Sequence, residues 1–573
     1  MTPRWSLKRP SPRKIAGLQQ ALSCHPATAA ALVNRGIDSS EAARRFLRLS
    51  LQDMQPPFVL RDMDVAVNRI HRALQRREKI LIFGDYDVDG VTSTAIMVDF
   101  LSRAGARVAH YIPHRIREGY GLKEAHVRQC IVPRGIDLLI TVDCGSGSHA
   151  AARTAAAAGV DVIITDHHSI GAELPPALAV INPKRGDGPP GFENLAGVGV
   201  AFSLLIALRR HLREAGFWRD GAAPNLKHYC DLVALGTVAD MVPLVGDNRI
   251  LARTGIEMMA SRPRPGLQSL MEIAGMRGHR VDAEDIAFRL APRINAAGRI
   301  KHADRAVALL TAPDLHTARQ LAEPLERLNT QRQILEKVIL QQIEERLAAN
   351  PSLLEKGALV LSDRDWHLGV LGIVASRLMQ RYGRPVVLIT TQSGTGKGSA
   401  RSVPGTDLYR LLEETADLLT GFGGHALAAG LEVDPANIDH FSRAFEAAVA
   451  RNAGDAPAPV RDIDWPLELT AISDRLIDEL EQLKPFGTGN PEPVFVASDL
   501  RVTGARTVGR NHRKMTLRPA GSRDAHPLDA IWFNADPALP SLPRIRRLAY
   551  RLRWNHWNGR KSPQLVVEDL EAD

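Results

Sequence analysis

Three aspartates fall within five residues, Asp85, Asp87 and Asp89 in the phrase GDYDVDG. Carboxylates so close repel one another, and such a cluster persists most cheaply where cations neutralise it. Matching groups stand in three later phrases: Asp143 in TVDCG, Asp166, His167 and His168 in TDHH, and Asp240 in GTVADMVPL. Carboxylates with an imidazole suit manganese better than zinc, which more usually recruits thiolates or more histidines. Two such ions side by side can acidify a water and stabilise both the entering and the leaving oxygen of a phosphodiester displacement. Two plainer readings compete. A calcium loop of EF-hand type begins the same way, but it needs a bidentate Glu at its twelfth position, and counting from Asp85 that position is Ile96. A solvated acidic turn is the commoner fate of an Asp-rich loop, and it leaves the acids and histidines of the later phrases unexplained.

The elements around these phrases decide whether they can meet. Residues 79–83 are a short apolar run that reads as a buried strand, the acids occupy a turn closed by Gly90, and 92–101 reads as a helix. Strand patterns recur at 107–112, 136–142 and 160–165, with Ala-rich helical patterns at 123–130 and 146–158. Such alternation predicts an α/β fold with a parallel sheet. All strands of a parallel sheet end at one edge, so Asp143, Asp166, His167 and His168 can converge on Asp87 and Asp89 there. A helical pattern over 226–239 ends at Asp240, and a long one over 315–349 contains Pro324.

A second, smaller α/β region spans about 357–452, with strands at 358–362 and 385–389 and a helix at 370–381. It carries two Gly-rich stretches read as turns, TGKGSARS at 395–402 and GFGGHALAAG at 421–430. The first is not a Walker loop, because Thr391 stands where Gly is needed and Gly398 where Ser or Thr is needed. Lys397, Ser399, Arg401 and His425 nevertheless offer phosphate-binding groups there. Beyond a Pro- and Gly-rich linker at 484–493, five strand-like runs suit a small OB-type barrel. Between 501 and 561 lie 14 Lys or Arg against 3 Asp, interleaved with Trp532, Phe533, Tyr550, Trp554 and Trp557, a pattern that suggests a single-strand nucleic-acid surface.

Composition sets the wider bounds. With 573 residues the chain needs several cores. Four scattered cysteines give neither a disulfide framework nor a zinc finger, and no apolar run is long enough to span a membrane. A cytoplasmic protein is expected. The net charge of +9 with a local acid cluster implies positive potential elsewhere and a polyanionic partner.

Taken in order with APRINAAGR at 291–299, GSARS at 398–402 and FGGHALAAG, these phrases resemble the DHH phosphoesterase superfamily and, within it, its single-strand-specific DNA exonucleases. The likeness runs from about residue 60 to the end. It implies a DHH domain joined by a long helix to a DHH-associated domain, with a C-terminal OB-type barrel. The expected boundaries are a helical leader at 1–60, the DHH domain at 61–260, a helical region and connecting helix at 261–350, the DHH-associated domain at 351–455 and the barrel at 460–573. The implied activity is 5′ to 3′ release of nucleotides from single-stranded DNA, in repair and recombination, with two divalent ions, Mn2+ or Mg2+. Asp143 is expected to bridge them, with Asp87 on one and Asp89, His167 and Asp240 on the other. His168 faces the scissile phosphate, and Asp85 and Asp166 orient ligands. Many superfamily members carry a His where this chain has Phe83, so Asp85 or a water is expected to compensate. Arg115, Arg293, Asn295, Arg299, Ser399, Arg401, Gly423, Gly424 and His425 are expected to hold the strand and its 5′ end. The expected state is a monomer served by a helicase and a single-strand-binding protein. Two rival readings are a catalytically dead DNA binder and a nuclease for short RNA, cyclic dinucleotides or pyrophosphate. The intact acid set argues against the first, and the basic barrel against the second.

Overall fold

The computed structural model describes residues 4–572 except 189, 219–222, 279, 393, 453–459, 510, 522–525, 536–541 and 558. It divides into two compact units, one of Gln55–Val242 with Thr254–Ala456, the other of Met1–Met54, Pro243–Arg253 and Pro457–Asp573.

In the larger unit, β1 (Lys79–Gly84), β2 (Arg107–Tyr111), β3 (Leu138–Val142), β4 (Asp161–Thr165) and β5 (Ala179–Ile181) form a parallel sheet in the order β2-β1-β3-β4-β5. The middle strands are buried along nearly their whole length. That burial is why they read as continuous apolar runs rather than alternating ones. Helix α1 (Val88–Arg103) starts earlier than its apolar pattern predicts, because the Asp87 side chain caps it by accepting from the Gly90 N–H at 3.1 Å. Asp89 therefore lies in the first helical turn, not on a loop. Two more helices reach the same sheet edge, α2 (Gly197–Glu214) and α3 (Cys230–Ala239), the latter ending at Asp240.

Helix α4 (Ala291–Ile300) packs on α5 (Leu315–Ala349), which runs unbroken through Pro324. Midway along α5 the buried residues turn polar: Arg332 pairs with Glu336 at 3.0 Å and donates to Asn329 at 2.8 Å. The second sheet combines β6 (Leu359–Asp363), β7 (Val386–Thr390), β8 (Gly396–Arg401), β9 (Leu419–His425) and β10 (Ala428–Val433) in the order β9-β10-β8-β7-β6, with α6 (Leu368–Tyr382) against it. Only the β6–β7 pair is parallel. The two Gly-rich stretches are thus strands, contrary to their expected role as turns. Their glycines serve close packing: a Cβ at Gly396 would stand 2.7 Å from the Val433 carbonyl, and one at Gly398 3.1 Å from Leu431.

In the other unit, the strands Phe495–Val508, His512–Pro519, Leu528–Trp532, Arg560–Ala572 and Arg544–Trp557 follow one another around a sheet that closes where the first pairs with the last. Residues 4–7 pair in parallel with 460–463, and Ile15, Leu18 and Leu32 share a core with Leu476 and Leu548. The segment 484–493, expected as a linker, is a packed turn in which the buried Asn490 amide donates to the carbonyls of Leu483 and Pro485. No helix among the described residues is long and apolar enough to cross a membrane.

Candidate metal centre and phosphate pocket

The parallel sheet delivers its acids to one edge. Asp85 follows β1, Asp87 and Asp89 open α1, Asp143 follows β3, Asp166 to His168 follow β4, and Asp240 ends α3. Three triads have ligand atoms within 4.8 Å of one another: Asp85, Asp87 and Asp143; Asp89, His167 and Asp240; and Asp143, His167 and His168. Asp143 belongs to two of them. Its φ is +60°, a left-handed conformation that Asp tolerates better than most residues. His167 Nε2 lies 3.1 Å from Asp143 Oδ1, 3.6 Å from Asp240 and 3.8 Å from Asp89. Asp89 is aimed by the start of α2, where the N–H groups of Gly197 and Val198 donate to its two oxygens at 2.6 and 2.8 Å.

Burial and mutual repulsion make the cluster costly without cations. Asp85 and Asp143 titrate far above the usual carboxylate range, through burial first and neighbouring carboxylates second. The same causes raise Asp89 to about 7 and Asp240 to about 9. Burial, then the charge of His168, lowers His167 to about 3, the neutral form that ligates metals. Asp85 Oδ1, Asp143 Oδ1 and His167 Nε2 are buried without a hydrogen-bond partner in the protein. Orphaned acceptors converging from several elements fit divalent cations, and the oxygen-rich set fits Mn2+ or Mg2+. Phe83 is fully buried and stacks on Tyr111 at 5.6 Å, and Asp85, expected only to orient ligands, stands beside Asp87 and Asp143 at the first position.

Asp166 takes no part in these triads. Burial disfavours its charge, but a 2.8 Å bond from His168 Nδ1 and the N–H groups of Ser146 and His168 hold it below the usual range. The pairing overrides burial at His168 as well and lifts that ring to about 9. Tyr120, which carries no motif, also reaches His168 Nδ1 at 2.9 Å and donates to the Asp143 carbonyl at 3.3 Å. Its only sequence signal is its place in the loop after β2, at the edge where the acids gather.

The expected strand-holding residues separate into two groups. The Arg115 guanidinium lies 4.7 Å over the Tyr86 ring and is close enough to Asp85 to favour its ionised form. Arg299 donates to the Gly369 carbonyl at 3.2 Å, and burial, then the charges of Arg115 and Arg401, press it down to about 9. Arg401 donates to Ser399 Oγ at 3.1 Å and lies where a Cβ on Gly372 would meet it at 2.7 Å. These three cations lie near enough to disfavour one another's charge, with Arg115 also near Asp85 and Arg299 near Asp87, a crowding that a phosphate would relieve. In the sheet register, Ser399 pairs with Gly430 and Gly430 with Gly423, while Arg401 pairs with Ala428 and Ala428 with His425. Gly423, Gly424 and His425 thus lie on the exposed edge strand, about 10 Å from β8. Asn295 is half-buried on α4. Arg293 is paired with Glu326 of α5 at 2.5 and 3.2 Å.

In the barrel, Tyr550 is fully buried and donates to the Leu467 carbonyl at 2.7 Å, so it belongs to the core and not to a stacking surface. Phe533 and Trp557 are 51% and 72% exposed.

Comparison with known proteins agrees with this order of parts. Family models match 79–237 (DHH family, N-terminal domain), 355–451 (DHHA1 domain) and 463–569 (RecJ OB domain). The chain is 38% identical over 574 residues to the single-stranded-DNA-specific exonuclease RecJ of Bacillus subtilis, covering 99% of this chain and 70% of that one. Against RecJ of Escherichia coli it is 37% identical over 554 residues, covering 94% of each. The crystal structure of Thermus thermophilus RecJ in complex with Mn2+ superposes with a TM-score of 0.83 at 35% identity, over 100% of this chain and 80% of that one.

Proposed function

The chain belongs to the RecJ family of single-stranded-DNA-specific exonucleases, and from that premise we propose that it hydrolyses single-stranded DNA from the 5′ end, releasing mononucleotides in the 5′ to 3′ direction. The observation that carries this reading is the arginine pocket of Arg115, Arg299 and Arg401 beside a cluster of orphaned carboxylates. A 5′ phosphate seated among the three cations brings the first phosphodiester bond, and no later one, to the acids. When bound, two divalent cations supply an acidified water and charge stabilisation for the entering and leaving oxygens.

The residues divide this work. Asp87 with Asp85 forms one ligand set, Asp89, His167 and Asp240 the other, and Asp143 is shared between them. Asp166 keeps His168 protonated and turned so that Nδ1 is engaged, which leaves Nε2 to donate to a phosphate oxygen. Tyr120 braces the same ring. Ser399 and the edge N–H groups near Gly423, Gly424 and His425 extend the hold on the 5′ end, Asn295 faces the same task from α4, and Arg293 acts through α5.

Incubation with Mn2+ and 5′-labelled single-stranded DNA, short RNA and pyrophosphate tests the reading. It requires mononucleotide release from the DNA, and preferential attack on pyrophosphate or short RNA would refute it. We assign repair and recombination in the cytoplasm as the setting, as a monomer that depends on a helicase and a single-strand-binding protein to expose its substrate. The functional parts are taken as 1–60, 61–260, 261–350, 351–455 and 460–573.

A further inference from the structure

The loop that leaves β2, residues 112–123, carries Arg115 and Tyr120. Arg115 is a half-buried cation whose guanidinium rests on the Tyr86 ring at 4.7 Å, and among the described residues no carboxylate pairs with it. A guanidinium without an acid to fix it must be aimed by its backbone. The acid nearest in sequence is the half-buried Glu118, three residues on, and both its oxygens are engaged elsewhere. Oε1 accepts from the Tyr111 hydroxyl at 2.6 Å and lies 3.2 Å from Nε2 of the buried His126. His126 Nδ1 accepts from the Lys123 N–H at 3.0 Å, which leaves the ring proton on Nε2, the nitrogen that faces Glu118. Oε2 accepts from the His114 N–H at 2.5 Å, and the Glu118 N–H donates back to the His114 carbonyl at 2.8 Å. Both backbone groups of His114 are thus bonded to Glu118, and Arg115 sits inside the closed turn.

The same residue governs the far half of the loop. Tyr120 stands two residues after it, between Gly119 and Gly121 at φ +75° and +80°. Glycine adopts these backbone states without strain and leaves a chain free to bend, so the loop needs an anchor from outside them. Tyr111 ties Glu118 to the end of β2, His126 ties it to the residues that follow the loop, and Lys123 Nζ donates to its carbonyl. Both stems of the loop therefore meet on one residue. Burial disfavours the charge of its carboxyl, but the bonds from Tyr111 and the His114 N–H outweigh burial and hold it below the usual range. We propose that Glu118 is a positioning residue for the exonuclease reaction: it keeps the turn around Arg115 closed and its own carboxylate away from that guanidinium, so that Arg115 stays open to the 5′ phosphate and Tyr120 stays on His168. The inference rests on the exonuclease reading above. An ion pair between Glu118 and Arg115 would cancel the charge that the phosphate is to meet.

The test measures KM and kcat in Mn2+ on 5′-phosphorylated and 5′-hydroxyl single strands. It compares the wild type with Glu118→Ala, Tyr111→Phe, Arg115→Ala and the two double variants that join Arg115→Ala to each of the others. Glu118→Ala should raise KM for the phosphorylated strand about tenfold and lower kcat by a similar factor on both strands, with KM for the hydroxyl strand nearly unchanged. Tyr111→Phe removes one donor to Glu118 and keeps the ring that stacks on Phe83, so it should show the same pattern at about threefold. It decides the matter if Glu118→Ala does not fold. In the Arg115→Ala background neither substitution should raise KM further, while the loss in kcat that comes through Tyr120 should persist. An unchanged KM, an equal rise for both kinds of end, or a rise that adds in full to that of Arg115→Ala overturns the assignment while the exonuclease reading stands. If the wild type releases no nucleotide from either strand, the exonuclease reading fails and this inference falls with it.

Discussion

Gly197 backs directly onto Asp143: a Cβ at that position would stand 2.5 Å from Asp143 Oδ1, while the Gly197 N–H donates to Asp89 at 2.6 Å. One residue at the start of α2 thus sets the spacing of two carboxylates from different elements, Asp89 in the first turn of α1 and Asp143 after β3. Gly197→Ala should push Asp143 out of line and lower kcat by about a hundredfold, with single-strand affinity nearly unchanged. A variant with full turnover would show that the spacing of these acids is not critical.

The raised carboxyls give the metal response a definite sign. Asp89 at about 7 and Asp240 at about 9 hold protons in the folded, metal-free protein that the unfolded chain releases near pH 4. Their contribution to stability is therefore complete at low pH and lost as pH rises through 7 to 9. Cations compete with those protons, so Mn2+ affinity should rise over the same interval. Thermal melts at pH 6 and pH 8.5 with and without Mn2+ should show the larger Mn2+-induced rise in Tm at the higher pH. A shift that shrinks with pH would contradict the titration of this cluster.

Arg401 and Arg293 should behave differently although both were expected to hold substrate. Arg401→Ala should weaken binding of 5′-phosphorylated ends about tenfold or more while leaving 5′-hydroxyl ends little affected. Arg293→Ala removes a partner of Glu326, so it should cost about 1 kcal/mol of stability and treat both ends alike. Competition binding with the two oligonucleotides, together with urea melts, separates these roles, and equal losses for both ends in Arg401→Ala would leave the 5′ phosphate without its anchor.

The legible parts of this chain were those in which a local pattern and a topological rule agree. Apolar runs ending in acids at 79–89, 138–143 and 161–168 place their carboxylates together once the sheet is parallel, and the five barrel strands announce themselves by turn residues. The illegible parts depend on partners distant in sequence. The glycines at 396, 398 and 424 look like turn residues because nothing local tells that neighbouring strands pack against them. Arg293 looks like a phosphate ligand until Glu326 is brought beside it by α5. Residues 4–7 give no hint of pairing with 460–463, and Tyr120 acquires a role only through its contact with His168. Tyr550 and Trp557 have the same aromatic signal in sequence and opposite burial in the fold.

The most direct measurement is the turnover of 5′-phosphorylated single-stranded DNA by Asp143→Asn in Mn2+, with binding of the same strand measured in parallel. Asn tolerates the left-handed backbone at this position, so the substitution removes a shared charge and little else. Turnover should fall by at least about a thousandfold with strand affinity held within about threefold. Near-normal turnover would contradict the assignment of Asp143 as the carboxylate shared by the two metal sites.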